Sequence, residues 1–372
     1  MRVILTGGGT GGHVNPALAI ADIIKTRHKD AEIIFIGTKK GIENRLVSKE
    51  GYEIRHVEAR GFQRSLSPKN LLAAWYYFTS PAKAKKIIKE FAPDIVIGTG
   101  GYACYAPLKA AAKLGIPTMV HESNALPGLA VRMLQHDLDS ILLNFDCSRE
   151  KLEVKDKVIS VGNPVRSDFG KYSKEEAKRE LGISKYRYVL LSYGGSLGAP
   201  AINESALEIM KNFSSSHPEV LHIHATGKNH YEAFTEKFKA MGLDRFDNIS
   251  VNDYVYDMPK KLAAADLIIS RAGAMTVTEM ARMKKACIMI PSPYVADNHQ
   301  YKNAKMLFDA DGVMLIEEKE LVDGKITKAV ESLIFNEEKR AKMSESISAF
   351  AGDDTENKIY SEIIRLVGKN KG

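Results

Sequence analysis

Short apolar runs alternate with stretches of helical spacing along the whole chain. In the first half the runs are Val3–Thr6, Glu32–Gly37, Asp94–Gly98, Thr118–His121 and Ser140–Leu143. In the second half they are Tyr188–Ser192, Val220–Ala225, Leu267–Ser270, Ala286–Pro291 and Val313–Ile316. Alternation of this kind predicts an α/β chain with two doubly wound parallel sheets. Gly and Pro punctuate Val161-Gly162-Asn163-Pro164, the best hinge candidate, which divides the chain into residues 1–162 and 163–349. From about Asn336 the pattern is helical and charged. Its last amphipathic stretch, Asn357–Val367, is expected to pack back on the first domain, returning residues 350–372 to it.

One phrase occurs twice. Val3-Ile4-Leu5-Thr6-Gly7-Gly8-Gly9-Thr10-Gly11-Gly12 is echoed by Val189-Leu190-Leu191-Ser192-Tyr193-Gly194-Gly195-Ser196-Leu197-Gly198. Each copy reads as strand, glycine-rich turn and helix N-terminus, where free N–H groups and the helix dipole favour an anion. Two such turns, one per half, point to an enzyme that joins or splits two phosphate-bearing molecules across a cleft. In open α/β sheets, ligands sit at the carboxyl ends of strands. Unusual residues cluster there: Gly98-Thr99-Gly100-Gly101-Tyr102, His121-Glu122-Ser123-Asn124 and Ser270-Arg271-Ala272-Gly273-Ala274.

Composition narrows the partners. The 372 residues are 44% hydrophobic and 27% charged, which leaves little room for extended disorder. A net charge of +7 and a pI near 9.0 fit nucleic acid, an anionic membrane surface or phosphorylated substrates. No nucleic-acid module accompanies the charge, so nucleic acid is not expected. No run approaches the ~18–20 apolar residues that span a bilayer. Met1-Arg2 leads directly into a strand without a signal-peptide layout. Cys104, Cys147 and Cys287 lie far apart with neither metal nor redox spacing, consistent with a reducing cytoplasm.

Several residues invite a chemical role. Gly7, Gly9 and Gly12 match the dinucleotide spacing, but the second strand ends in Gly37-Thr38 and its acid, Glu32, lies at the wrong end. His13 opens a helix, where a lowered pKa suits a neutral general base; the alternative is a histidine that bonds a neighbouring loop. His121 and Glu122 raise the same question, since strand-end carboxylates often cap loops. Asp137-Leu138-Asp139 and Asp309-Ala310-Asp311 resemble metal-holding pairs, yet the first precedes a strand and the second reads as a helix end. With no metal ion, a departing diphosphate would need helix dipoles and a cation such as Arg166. Ser67 can cap and Pro68 can open an apolar helix through Phe78, followed by Lys83, Lys85, Lys86 and Lys89. That helix is either buried core or a lipid-docking surface, and it carries Trp75, the single tryptophan.

Gly7–His13, Gly98–Tyr102, His121–Gly128, Gly162–Arg166, Gly194–Ala199, Ser270–Glu279 and Asp297–Ala304 occur in the order and spacing of one family. Over its full length the chain resembles the MurG family of peptidoglycan N-acetylglucosaminyltransferases. The resemblance implies a GT-B fold, two Rossmann-like domains facing across a cleft. It implies UDP-N-acetylglucosamine as donor, held mainly by the second domain. The acceptor would be undecaprenyl-diphosphate-linked N-acetylmuramoyl-pentapeptide, at the cytoplasmic membrane face where the protein would be peripheral. Transfer would invert the anomeric centre, make a β-1,4 bond and release UDP with neither cofactor nor metal.

By position, Ser196 and its turn would meet the donor diphosphate, Arg166 the same nucleotide, and Val255 the uracil through its backbone. Ala274, Met275, Thr276, Val277, Thr278 and Glu279 would line the nucleotide, with Glu279 on the ribose. Gln300 would read the sugar and Asn124 would reach the donor. Thr10, Gly11 and Gly12 would lie near donor and acceptor phosphates, with Tyr102 on the acceptor side. Leu197 and His299 depart from the family pattern, which leaves one phosphate and one sugar contact open. His13 is favoured as base, with Glu122 second. The alternatives are a UDP-N-acetylglucosamine 2-epimerase and a non-catalytic sugar-nucleotide or lipid-binding module.

Overall fold

A computed structural model describes residues 1–61, 69–195, 197–295, 298–352 and 354–369. The chain forms two compact units, Met1–Ser167 with Gly352–Gly372, and Asp168–Ala351. The first contains β1 (Arg2–Thr6), β2 (Glu32–Gly37), β3 (Glu53–His56), β4 (Ile95–Gly98), β5 (Thr118–Glu122), β6 (Ser140–Leu143) and β7 (Val158–Ser160). They pair in parallel in the order β3-β2-β1-β4-β5-β6-β7. The second contains β8 (Tyr188–Tyr193), β9 (Val220–Ala225), β10 (Ile249–Asn252), β11 (Leu267–Ser270), β12 (Cys287–Met289) and β13 (Met314–Leu315). Its parallel order is β10-β9-β8-β11-β12-β13.

Strand order reverses between β1 and β4 in one sheet and between β8 and β11 in the other. A crevice opens at such a switch point, and each glycine-rich turn starts there. Register keeps the turns level: Thr6 pairs with Gly98, and Tyr193 with Ser270.

Both faces of the first sheet are covered, so its central strands are apolar throughout. Val3, Leu5, Phe35 and Ile97 pack with the helix Gly11–Arg27; Ile4, Ile34, Ile36 and Val96 face the opposite layer. The final helix, Thr355–Lys369, adds Ile359, Ile363, Leu366 and Val367 to the first of these layers. Each full burial of such a side chain is worth about 1.5–3 kcal/mol. The Thr355 hydroxyl donates to the Val161 carbonyl at 2.7 Å, and buried His121 Nε2 meets the Gly162 carbonyl at 2.8 Å. Those two ties hold Val161-Gly162 within the first unit. Arg166 pairs there with Glu50 and the Ser167 N–H donates to Asp22, so the division falls at Ser167/Asp168 rather than at the glycine.

Three strands escape the apolar pattern: β3, β7 and β10. All three are edge strands, where one exposed side tolerates polar residues such as Glu53, Arg55 and Asn252. The helix around Trp75 also runs further than its apolar stretch, from Lys69 to Phe91 across Pro81. Its expected cap, Ser67-Pro68, lies outside the described residues.

Candidate active site

In the first unit, Gly7–Thr10 leaves β1 and enters the helix Gly11–Arg27. No side chain caps this helix and no acid occupies its first turn, so the N–H groups of Gly11 and Gly12 remain open to an anion. The His13 ring lies against the turn after β4. A Cβ at Gly101 would fall 2.2 Å from the Gly8 carbonyl oxygen and 3.0 Å from His13 Nδ1, so only glycine fits. Thr10 Oγ1 lies 3.1 Å from the same nitrogen, and Thr99 Oγ1 donates to the His13 carbonyl at 2.6 Å. With Nδ1 against the Thr10 hydroxyl, a proton-transfer role would fall to Nε2. Burial lowers the His13 pKa from its ordinary 6.5, opposed by the Gly8 carbonyl and the charge of Glu43. A neutral imidazole at neutral pH follows.

His13 opens onto a cavity of about 290 Å³ whose walls include Tyr102, Tyr105, Glu122, Tyr76 and Met133. Thus the structure brings together His13, Tyr102 and Glu122. The two base candidates differ, however. Glu122 is buried, and its carboxylate accepts from the Asn124 N–H at 2.9 Å, Asn124 Nδ2 at 3.0 Å and the Gly128 N–H at 2.8 Å. Burial raises its pKa while these donors oppose the rise. That is the geometry of a carboxylate closing the loop after β5. Asn124 donates its side-chain NH₂ to Glu122, and its backbone carbonyl accepts from the Ser148 hydroxyl.

Around this cavity the helix Lys69–Phe91 exposes Leu71 (77%), Trp75 (64%) and Phe78 (77%), one stripe at i, i+4 and i+7. Leu129 and Met133 continue the exposed apolar rim. Buried core is therefore the wrong reading for this face of the helix.

In the second unit, Tyr193-Gly194-Gly195 leaves β8, and Ser196 lies outside the described residues. Leu197 is exposed, and Gly198 packs so closely on the loop after β9 that a Cβ would stand 2.0 Å from the Thr226 carbonyl oxygen. Neither the helix Pro200–Asn212 nor the helix Ala274–Arg282 has a side-chain cap or an acid in its first turn. By contrast the helix Lys174–Glu180, whose start precedes β8 in the chain, carries a complete Ser173/Glu176 capping box. Ala274, Met275, Val277, Thr278 and Glu279 are buried while Thr276 is partly exposed. Tyr193 is pushed well above the usual phenol value by burial and then by the charge of Glu279. Val255 is buried just beyond β10. Gln300 lies on the helix His299–Asp309, its amide oxygen accepting from the Ser292 N–H at 2.9 Å, so its NH₂ is the end available to a sugar hydroxyl.

Arg166 sits in the first unit, bidentate on Glu50 at 2.7 and 3.2 Å. The acid pairs are likewise engaged. Asp137 meets Lys109, Asp139 accepts from Thr118, Asp309 pairs with Lys305 and Asp311 with Lys342.

Sequence reasoning missed two groups. Glu43 reaches the carboxyl end of β2 from the start of the next helix, and its carboxylate is taken by Thr38 and Gly9 rather than left for a ribose. Gly8, Gly37 and Gly41, all crowded against it, were the available signal. The second group is a buried polar chain under the second turn. Ser192 Oγ lies 2.9 Å from His222 Nε2 and 2.8 Å from His224 Nδ1, and His224 Nε2 meets Asn203 Oδ1 at 3.2 Å. Asn203 Nδ2 then donates to the Thr226 carbonyl at 3.1 Å. Burial pushes both histidines down to about 3, so they are neutral structural links.

Residues 3–143 match the glycosyltransferase family 28 N-terminal domain, and residues 189–358 match its C-terminal domain. A UDP-N-acetylglucosamine--N-acetylmuramyl-(pentapeptide) pyrophosphoryl-undecaprenol N-acetylglucosamine transferase of Acetivibrio thermocellus is 41% identical over 371 residues, covering 100% of this chain and 99% of that protein. The chain belongs to glycosyltransferase family 28. A family 28 relative of the same description from Bacillus cytotoxicus is 36% identical, covering 99% and 100%. Acinetobacter baumannii MurG superposes with a TM-score of 0.70 at 27% identity, covering 98% and 99%. S. aureus MnaA, solved with UDP, superposes at 0.69 with 15% identity, covering 99% and 97%; that likeness is one of fold alone. This family 28 chain is therefore a glycosyltransferase built on two parallel-sheet domains of the GT-B type.

Proposed function

We propose that this protein transfers N-acetylglucosamine from UDP-N-acetylglucosamine to an undecaprenyl-diphosphate-linked N-acetylmuramoyl-pentapeptide, with inversion, making a β-1,4 bond and releasing UDP. The observation that carries the reading is identity of 41% over the full chain with a transferase named for this donor group and acceptor. The epimerase alternative has fold-level support only, at 14% identity to a putative UDP-N-acetylglucosamine 2-epimerase from Listeria monocytogenes.

The acceptor hydroxyl attacks the anomeric carbon from the face opposite the diphosphate. As that bond forms, the bond to UDP breaks and the hydroxyl proton passes to His13 Nε2. Support for His13 over Glu122 is its open nitrogen and lowered pKa, against a carboxylate that already accepts three hydrogen bonds. The first unit holds the acceptor, its cavity taking the muramoyl group and the N–H groups of Gly11 and Gly12 meeting a phosphate. The second unit holds the donor: the turn at Gly194–Gly198 and the uncapped start of Ala274–Arg282 stabilise the leaving diphosphate. Glu279 accepts from the ribose, Val255 lies at the uracil and the Gln300 amide donates to the sugar. Arg166, bidentate on Glu50 in this structure, would leave that carboxylate to serve the nucleotide. The exposed stripe Leu71, Trp75 and Phe78, with the exposed Lys85, Lys86 and Lys89 on the same helix, supports peripheral docking on an anionic membrane at the cytoplasmic face. Among the described residues no helix is long and apolar enough to cross a membrane.

The test is UDP release from UDP-N-acetylglucosamine, with and without a polyprenyl-diphosphate muramoyl-peptide, in EDTA. Acceptor-dependent release with a disaccharide product is expected. Release that needs added magnesium or manganese would instead assign a role to a divalent ion. No acceptor-dependent release under either condition would overturn the transferase reading.

A further inference from the structure

Two further segments of the first unit wall the cavity beside His13: the chain that leaves β3, residues 57–61, and the inner face of the helix Lys69–Phe91. They are fastened to each other. The Ser80 hydroxyl donates to the Glu58 carbonyl, and Lys83 Nζ meets the two Glu58 carboxylate oxygens at 2.9 and 2.8 Å. Further along, a Cβ at Gly61 would stand 3.2 Å from the Tyr102 ring, and one at Gly9 would stand 2.7 Å from it. The Tyr102 ring thus meets both the first glycine turn and residue 61. Arg60, one residue earlier, lies on the cavity wall.

Besides His13, the acids and bases that line this cavity are Glu58, Glu122 and Arg60. Glu58 is answered by Lys83. Glu122 is closed off by the Asn124 N–H, the Asn124 side-chain amide and the Gly128 N–H. Arg60 is exposed and meets no acid among the described residues. Much of the remaining wall is apolar. Tyr77 and Tyr105 stack with ring centroids 4.0 Å apart, Ala73, Ala106 and Val131 are buried, and Met133 stands at the rim. The cavity therefore pairs an apolar wall with one cation that has no counter-charge, and a low-dielectric wall strengthens the pull of such a cation on an anion.

We propose that Arg60 reads a carboxylate of the acceptor's peptide stem, and that this contact selects an acceptor carrying the stem. The inference rests on the transferase reading above. In a muramoyl group the hydroxyl that becomes 1,4-linked is on carbon 4, and the lactyl ether that bears the peptide is on carbon 3. A hydroxyl delivered to His13 therefore brings the lactyl-peptide arm into the space beside it. The lactyl methyl suits the tyrosine wall. The peptide is joined through its amino end, so it brings at least its terminal carboxylate. A guanidinium offers that carboxylate two parallel N–H groups. No bond is made or broken at Arg60, which acts on binding alone.

The experiment measures acceptor-dependent UDP release by the full-length protein with two acceptors. One is a polyprenyl-diphosphate muramoyl-pentapeptide; the other is the same molecule with its stem carboxylates converted to primary amides. In the unaltered protein, amidation should raise the acceptor KM about fivefold while kcat and donor KM stay unchanged. Arg60→Gln should raise KM for the free-carboxylate acceptor by the same factor and leave KM for the amidated one where it was. Arg60→Lys should recover part of the loss. An equal loss on both acceptors in Arg60→Gln would put the guanidinium on another group, such as the diphosphate, and overturn the proposal. An unaltered protein indifferent to amidation would overturn it too, and that result needs no variant. Absence of release by the unaltered protein with either acceptor would defeat the transferase reading and this proposal with it, so the two failures are distinguishable.

Discussion

The two units share strand order about the switch point, parallel pairing and a glycine turn on the central strand, yet they treat histidine in opposite ways. In the first, His13 lines a cavity and its Nδ1 lies 3.1 Å from the Thr10 hydroxyl. In the second, His222 and His224 are sealed beneath the turn, linked through Ser192 and Asn203 to Thr226. Their surfaces differ as well: the first exposes an apolar helix stripe beside its cavity, while the second buries the helix that starts after β11. One fold thus carries a cavity-lining histidine just after a strand in one unit and sealed histidines within a strand in the other.

His13→Ala should break the contrast most severely. We expect kcat to fall roughly 10²–10⁴-fold with little change in donor KM; steady-state UDP release measures it, and a rise in donor KM alone would move His13 from proton transfer to binding. In the unaltered enzyme kcat should fall as pH drops through the His13 pKa, which lies below 6.5. Next in size is Glu279→Gln. Loss of a charged acceptor for ribose hydroxyls is worth about 1.5–3 kcal/mol, or roughly 10–100-fold in donor KM, while acceptor KM should stay unchanged. An equal effect on both substrates would remove the division of roles between the units.

Acid should sharpen the comparison through stability. His222 and His224 have folded-state pKa values near 3, far below the ordinary 6.5, so the unfolded chain takes up protons first as pH falls. Their neutral form costs nothing above pH 6.5, and stability is lost progressively from there down to about pH 3. Each contributes up to about 1.4 kcal/mol per pH unit. The first unit has His121 held to about 4. Protection of β8 and β9 amides in hydrogen exchange should therefore fall more steeply between pH 5 and 4 than that of β1 and β4. Parallel loss in both units would erase this difference.

The smallest effect concerns the surface. Anionic vesicles should blue-shift Trp75 emission, salt should weaken the shift, and Leu71→Ser with Phe78→Ser should reduce binding several-fold with kcat for a soluble acceptor unchanged. An unaltered spectrum across a vesicle titration would limit the stripe to contacts with the acceptor's own chain.

Alternating apolar runs made the two parallel sheets legible, because a strand buried on both faces must be apolar along its length. The glycine turns were legible for a similar reason: close backbone approach excludes a Cβ, and the repeat at Gly7 and Gly194 exposes that constraint in one dimension. Edge strands β3 and β10 were not, since their free side admits Glu53, Arg55 and Asn252 and so dilutes the pattern. The Lys69–Phe91 helix was recognisable, but whether its apolar face was covered was not.

By itself, then, the sequence determined the element types, the turns that follow β1 and β8, and the family to which the chain belongs. These depend on local spacing and on ordered motifs. Tertiary structure decided which groups meet: Glu43 with the Gly9 N–H 34 residues away, Arg166 with Glu50 across 116, and His224 with Asn203 across 21. It also decided that Trp75 faces outward. Such pairings are set by the order in which strands join a sheet, and no local propensity encodes that order.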